Sequence, residues 1–540
     1  MKAHCLPFSE IPHTTRLFAD FLSYTPPVQS FYPRSPQFSE WVKEESQRIQ
    51  LDLDRRCRVA EILQRQNQSF GVSTKTLANL DRLRNGAAAI VTGQQVGLFG
   101  GPMFSIYKAL TAVKLAEEAT KAGVNAVPIF WLATYDHDLV EVNHVSIPAL
   151  DGQIQTLTTP SHGISGAPVS TVRLGDEIQP VLEQAAALLG ETDTTTLLRE
   201  TYRPGETLGT AFARFYARLF ADWGVILLDA SDPELHRVAE PVYRMAIERA
   251  NELTPALLAR GDALEAAGYH QQVKVMLSST LLFKLRAGVR TPIHRHEGQT
   301  REFFLDDDPH HRISEQDLLN EIASHPEQFS PNVLLRPIVE DFLLPTLAYT
   351  GGAAEAAYFA QAAAVYESIL GRTTPIVPRY SGTIVEPKLQ RLLERYQLGA
   401  PDVFGGPEAL RQKLAGHSLP EDLQNAFDST RSALDIHLGE IQQKLARLDR
   451  TLVDAGETAV SKMRHQLDRL HTQAARAESQ KVEVIGRHAQ MLSQNLYPNR
   501  ALQERGIGGV YFLARYGQDL LHELYDSMHS DCHDHQIVEL

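Results

Sequence analysis

The densest run of ionisable side chains in this sequence is Asp136-His137-Asp138-x-x-Glu141-x-x-His144. A carboxylate holds an ammonium group, and an imidazole exchanges a proton near neutral pH. The run therefore suits amine binding and proton transfer. Asp136, His137, Asp138 and His144 are the candidate catalytic residues, and Glu141 is a candidate binding residue. Two other readings stand beside this one. On a helix, His137, Glu141 and His144 would fall at i, i+4 and i+7, a face that suits zinc or iron. Alternatively the cluster is a hydrogen-bonded strand end with no ligand. No metal is assigned.

Three further stretches combine turn residues with polar groups. Gly93, Gly97, Gly100 and Gly101, with Gln94 and Gln95 among them, lie between an apolar run and a helical stripe. Backbone N–H groups and a helix dipole there favour an anionic ligand. The spacing matches neither the dinucleotide fingerprint nor the P-loop, and Lys108 sits about two turns into the helix, too far for a Walker lysine. The plain alternative is a tight turn that needs glycine. Gly351 and Gly352 lead into a helix on which Glu355, Tyr358 and Gln361 share nearly one face. That helix also reads as a capped surface helix. In Arg379-Tyr380-Ser381-Gly382-Thr383, one cation and two hydroxyls suit a phosphate or carboxylate, and a surface ion pair is the plain alternative. The run His529 to His535 has no standard zinc spacing and reads as adventitious.

These groups need a scaffold, and hydrophobic patterning predicts one. Ala87 to Thr92 and Ala126 to Ala133 are apolar without alternation, as in strands buried on both faces. Between them Pro102 opens a helix whose stripe is Ile106, Ala109, Leu110, Val113 and Ala116. That is a βαβ crossover and a parallel sheet, with ligands expected at the carboxyl ends of its strands. The Gly93 turn and the Thr134 to His144 segment are therefore expected to share one pocket, Gln94 touching the ligand and His137 moving a proton. Gly224 to Asp229 and Thr374 to Pro378 read as further strands, Val273 to Leu277 as another, and Val333 to Arg336 as the point where the core resumes. The predicted fold class is α/β: a Rossmann-like parallel-sheet core with two insertions and a long antiparallel coiled-coil arm. The core covers residues 1–385, with a helical lead-in at 1–85 and insertions at about 145–205 and 280–330. A helical domain follows at 386–500, and 501–540 returns to the core.

In the helical domain Leu434, Leu438, Ile441, Leu445, Leu448 and Leu452 make one heptad seam, and Val460, Met463, Leu467, Leu470 and Ala474 another. Asp454-Ala455-Gly456 is placed as the turn of a hairpin covering roughly 419 to 495. A hairpin of this length projects from the core and is expected to meet a second subunit, giving a homodimer. The alternative is packing along its own core.

The chain has 540 residues, 43% hydrophobic and 22% charged, with a net charge of −14. That balance argues against a nucleic-acid partner, since such chains usually carry a basic face. No apolar run is long enough to span a bilayer, so no membrane partner and a cytoplasmic location are expected. Cys5, Cys57 and Cys532 are odd in number and far apart, so neither a disulfide framework nor a thiolate metal set is expected.

Four blocks carry a resemblance to a known family. Thr92 to Pro102, with Tyr107-Lys108, resembles the signature of the BshC family, the cysteine ligase of bacillithiol synthesis. Trp131 to His144 resembles its second block. The third runs from Pro331-Asn332-Val333 through Arg336-Pro337, Asp341, Leu344-Pro345-Thr346, Tyr349, Gly351-Gly352, Glu355, Tyr358 and Gln361 to Arg379-Tyr380-Ser381. The fourth is Gln503-Glu504-Arg505 with Tyr511-Phe512-Leu513 and Tyr516-Gly517. Two positions depart from the pattern: Gly100 stands where threonine is common, and Ala353-Ala354 where Pro-Gly is common. The resemblance implies that cysteine is joined through its carboxyl group to the amine of glucosaminyl-malate. A carboxylate is a poor electrophile, so ATP, with magnesium, is the expected activator, by way of an acyl phosphate or adenylate. Gly93 to Pro102 is then assigned to an anionic part of substrate or nucleotide, and Arg336 and Arg379 to malate carboxylates or phosphates. Tyr107, Lys108, Asp341, Tyr349, Glu355, Tyr358, Gln361 and Ser381 complete the expected binding set. The first and third blocks are also similar in position to two signature loops of class I aminoacyl-tRNA synthetases. A nucleotidyl-transferring or tRNA-charging enzyme is therefore one alternative. A non-catalytic nucleotide-fold scaffold with a coiled-coil arm is the other.

Overall fold

Apolar runs with no polar alternation become the strands of one parallel sheet in the computed structural model. It describes residues 1–149, 152–160, 164–296, 301–416, 419, 421–449, 452–479, 483–529 and 532–540. The strands are β1 (Ala88–Gln94), β2 (Ala126–Leu132), β3 (Ile226–Asp229), β4 (Thr346–Gly351) and β5 (Ile376–Pro378), in the order β5-β4-β1-β2-β3. Every residue of β2 is buried, as is all of β1 except Gln94. β1 and β2 pair in parallel from Ala88 opposite Ala126 to Gln94 opposite Leu132, so both carboxyl ends reach one edge. Trp131 opposite Leu228, Tyr349 opposite Val91 and Gly351 opposite Pro378 bring the other three strands to the same edge.

Helices cover the sheet. α1 (Met103–Lys121) connects β1 to β2 and is buried on most of its surface, Lys108 included. α2 (Arg336–Leu343) precedes β4, and α3 (Ala353–Leu370) follows it. The central strand β4 did not stand out in the sequence. The core resumes at Val333 to Arg336 as expected: Val333 itself is exposed, but Leu334 and Leu335 are buried in the main apolar cluster and lead into α2. The threonines at both ends of the Thr346-Leu-Ala-Tyr-Thr350 run disguise a strand whose every residue is buried. The neighbouring strand β1 meets the end of this run, where the Thr92 hydroxyl donates to Thr350 O at 2.8 Å. Val273 to Leu277 is not a strand.

The chain packs as two units. Residues Met1–Ile147, Gln155–Thr383 and Glu504–Val538 form one, and Pro148–Ile154, Ile384–Gln503 and Glu539–Leu540 the other. Within the first, the insertion expected at 280–330 is a five-stranded antiparallel sheet built from Ser279–Arg286, Val289–Arg295, Glu302–Leu305, Asp308–Ser314 and Phe329–Pro331. Cys5 and Cys532 are joined in a disulfide and Cys57 is free, against the expectation of no disulfide. Spacing could not show this pair, because it is made by the meeting of distant segments: Phe8 N–H donates to Asp534 Oδ1 at 3.0 Å.

In the second unit α4 (Glu421–Leu448) and α5 (Leu452–Ser479) run antiparallel, cross-linked by Arg431–Asp468 at 2.9 Å and Arg464–Asp435 at 2.8 Å. The expected turn at Asp454-Ala455-Gly456 instead lies inside α5, since one glycine within a helical pattern is tolerated. Among the described residues no helix is long and apolar enough to cross a membrane.

The turn after β1 shows why Gly100 departs from threonine. Its φ is +87°, and a Cβ there would lie 2.8 Å from Phe215 Cε1. Gly100→Ala is expected to lower stability by about 1–3 kcal/mol, read from the urea midpoint.

Candidate functional site

At the carboxyl edge of the sheet Lys108 is 3% exposed and has three acceptors for its three protons. It donates to Gly93 O at 2.7 Å, Gln94 Oε1 at 2.8 Å and Glu355 Oε1 at 2.8 Å. Glu355 also accepts from Tyr349 Oη at 2.6 Å and, at the start of α3, from Gly352 N–H at 2.8 Å. Burial pushes the Lys108 ammonium down to about 8, against the pull of Glu355. Burial opposes charge on Glu355 too, but Lys108, Tyr349 and Gly352 outweigh it and hold the carboxyl below its usual range. A Cβ on Gly351 would lie 2.8 Å from Glu355 Cβ, so a glycine there lets the carboxylate sit this close. Arg336, at the start of α2, donates to the Tyr358 hydroxyl.

The adjacent strand end supplies the acidic part. Gln95 Nε2 donates to Asp136 Oδ2 at 2.7 Å and to Glu141 Oε2 at 2.6 Å, so the Gly93 turn and the segment after β2 are tied together. Asp136 Oδ1 also accepts His137 N–H at 2.7 Å. Gln94, expected to face the ligand, turns to Lys108, and Gln95 makes the bridge. The His137 side chain is half-exposed, with Nδ1 3.4 Å from Arg290 Nη1 and 3.5 Å from Asp136 Oδ1.

Several expected site residues have other occupations. The helix after β2 covers only Leu139–Val142. His137 and His144 thus lie outside it and do not share a face with Glu141. Asp138 caps this turn, its Oδ1 accepting Glu141 N–H at 3.3 Å, and His144 Nδ1 lies 2.9 Å from Val140 O. Among the described residues no three His, Cys, Asp or Glu side chains converge as a metal set. The glycine turn is not an open anion cradle. Gly97 N–H donates to Gln95 O, Gly101 N–H to Leu98 O, and Gly100 N–H to both Gly97 O and the Tyr202 hydroxyl. The start of α1 is covered as well, with Met103 N–H donating to Ile507 O at 2.9 Å and Gly509 N–H to Gly101 O at 3.2 Å. Tyr107 is buried edge-on against Tyr380, and both amide ends of Gln361 hold the Val273 backbone. Asp341 lies at the opposite edge of the sheet with Thr374 and Arg372. Arg379 Nη2 is paired with buried Glu504 at 2.6 Å. Ser381 Oγ and Thr383 Oγ1 lie 2.7 and 2.8 Å from the two nitrogens of His535, whose imidazole burial pushes down to about 4. Those hydroxyls support the core.

Two arginines matter here that sequence reasoning assigned no role. Arg290, on Val289–Arg295 of the inserted sheet, stacks on Phe283 at 3.9 Å and reaches His137. Nothing in its surrounding sequence marks it. Arg505 is exposed, 5.7 Å from the Phe104 ring that Lys108 and Arg379 also approach, at 5.8 and 5.3 Å. Lys108 and Arg379 are neutralised by Glu355 and Glu504. Among the described residues no carboxylate lies within salt-bridge distance of Arg505 or Arg336. The signal for Arg505 was its place in the fourth resemblance block.

Two family models match this chain end to end. The first, bacillithiol biosynthesis BshC, N-terminal Rossmann-like domain, covers residues 1–380. The second, bacillithiol biosynthesis BshC, C-terminal coiled-coil domain, covers 382–540. Curated relatives bear the name "Putative cysteine ligase BshC". A Koribacter versatilis protein is 45% identical over 540 residues, with all of both chains covered. One from Solibacter usitatus is 36% identical over 542 residues, again with both chains fully covered. One from Salinibacter ruber is 32% identical over 549 residues, covering 99% of this chain and 98% of the relative.

Lys108→Met is expected to cost about 3 kcal/mol or more, because Glu355 is left buried and unpaired, and adding Glu355→Gln should recover part of that. The pH dependence has a definite sign. The native ammonium titrates at about 8 against an ordinary 10.5, so the unfolded chain binds more protons here between those values. The Lys108 contribution to stability therefore grows as pH rises across that window and is lost as pH falls to 8. Urea midpoints at pH 7.5 and 10 should show a larger rise for the wild type than for Lys108→Met.

Proposed function

This chain belongs to the BshC family, and from that premise we propose that it is a cysteine ligase. It joins L-cysteine through the carboxyl group to the amine of glucosaminyl-malate, completing bacillithiol. The observation that carries the reading is the full-length match to curated relatives of that name. The site supports it. Glucosaminyl-malate carries one amine and two carboxylates, and this edge presents Asp136 and Glu141 beside Gln95, with Arg336 and Arg505 free of carboxylate partners among the described residues. The acidic pair binds the ammonium and accepts its proton, and the two arginines hold the malate carboxylates. Lys108 and Glu355 frame the site.

ATP, with magnesium, is the activator we propose: it turns a carboxylate oxygen into a leaving group. The Gly93 to Pro102 turn does not suit its phosphates, because the amides named above are already spent. The tRNA-charging and scaffold alternatives are disfavoured by the family match, and the net charge of −14 argues against a nucleic-acid partner. The hairpin leaves apolar seam positions exposed, Ile441, Leu448, Met463 and Leu470 among them. We propose that a second copy covers them in a homodimer.

Mass spectrometry of thiols in a deletion strain tests the reading. Bacillithiol should vanish and return with the wild-type gene, and undiminished bacillithiol in the deletion strain would refute it. Arg505→Ala should return about a tenth of the product or less while folding normally, as expected for loss of a charge-assisted contact. Full product would remove the carboxylate assignment. Sedimentation of a chain lacking 419 to 495 should show a monomer where the full chain shows a dimer. A dimer in both would give the hairpin another role.

A further inference from the structure

Arg290 is tied down on every side. Nε donates to Ser330 Oγ at 2.9 Å, Nη2 to Pro331 O at 2.6 Å, and the guanidinium lies over Phe283 at 3.9 Å and Tyr135 at 5.5 Å. Its side chain is 8% exposed. The remaining Nη1 meets His137 Nδ1 at 3.4 Å. A guanidinium donates and never accepts, so Nδ1 in this contact is the acceptor and the ring proton sits on Nε2. The other group facing this nitrogen is Asp136, whose Oδ1 lies 3.5 Å from Nδ1 and 4.0 Å from Arg290 Nη1. A proton on Nδ1 would point at Asp136 but would set that N–H against the guanidinium N–H of Arg290, two donors with no acceptor between them. The basic lone pair of His137 is therefore occupied, and Nε2–H is the donor left to this half-exposed ring.

We propose, on the ligase reading above, that Arg290 is a positioning residue. It fixes the ring of His137 as an Nε2–H donor to the carbonyl oxygen of the activated cysteine, and the proton of the amine goes to Asp136. The amine lone pair forms the new C–N bond, and the carbonyl pair moves to the oxygen that Nε2–H stabilises. Glu141, the other member of the acidic pair, has by then taken one proton of the ammonium to free that lone pair. The second nitrogen proton passes to the Asp136 carboxylate, and the oxygen pair re-forms the carbonyl as the activated oxygen leaves with its bonding pair. His137 thus polarises the carbonyl, and Asp136 takes the role of base first given to His137.

Nitrogen-15 NMR of the histidine-labelled full chain, with the His137 signals identified by their loss in His137→Gln, tests the tautomer without any activity assay. The wild type should show an unprotonated Nδ1 and a protonated Nε2 at neutral pH. Arg290→Met should shift the ring toward Nδ1–H and raise the pH at which it becomes doubly protonated. Arg290→Lys, which keeps the charge, should lie between. In cells, Arg290→Met and His137→Ala should each lower bacillithiol tenfold or more. The double variant should fall no further than His137→Ala, and Arg290→Lys should recover part of the product. Nδ1–H in the wild type, an unchanged spectrum in Arg290→Met, or additive losses would overturn the proposal. Failure of the ligase reading shows separately, as bacillithiol persisting in the deletion strain.

Discussion

A buried ammonium must match all three of its protons, and Lys108 does so with acceptors from two separate strand ends. Taking that charge out of water is unfavourable, and only complete pairing offsets it. The end of β1 and the start of α3 are held in one arrangement by this requirement. The neighbouring edge follows from it, since Gln94 is committed to Lys108 and the next side chain, Gln95, reaches Asp136 and Glu141. The acidic part of the site thus takes its position from a buried cation one residue away in the chain of contacts.

Legibility from sequence followed how local each determinant was. β1 and β2 were readable because a strand covered on both faces is apolar throughout, and one crossover helix makes them parallel neighbours. β4 was hidden because threonines stand at both ends of a run that is buried only once β1 and β5 flank it, which no single segment reveals. Lys108 looked like a misplaced Walker lysine, and its partner Glu355 like a surface cap, because their meeting spans 247 residues. Ser381 looked like a ligand hydroxyl, yet its partner His535 is 154 residues away. Residue type told the chemistry available at each position. Only packing told whether that chemistry was already spent.

Net charge misleads in the same way. An average of −14 conceals Arg336 and Arg505, two cations that have no carboxylate partner among the described residues. Balance was reached pairwise, Lys108 with Glu355 and Arg379 with Glu504, and the arginines outside those pairs are what a ligand would meet. The inserted antiparallel sheet adds Arg290 from outside the nucleotide-type core. An insertion can thus set the protonation of a residue on the core it interrupts.

The pairing of Arg379 with Glu504 has a consequence for how the protein is made. The carboxylate follows its arginine by 125 residues. At the ribosome's pace of ~5–20 residues per second, that is roughly 6 to 25 seconds during which Arg379 has left the exit tunnel without its partner. Until Glu504 and the segment around it emerge, the guanidinium stays in contact with water, so this corner of the sheet edge is the part completed last.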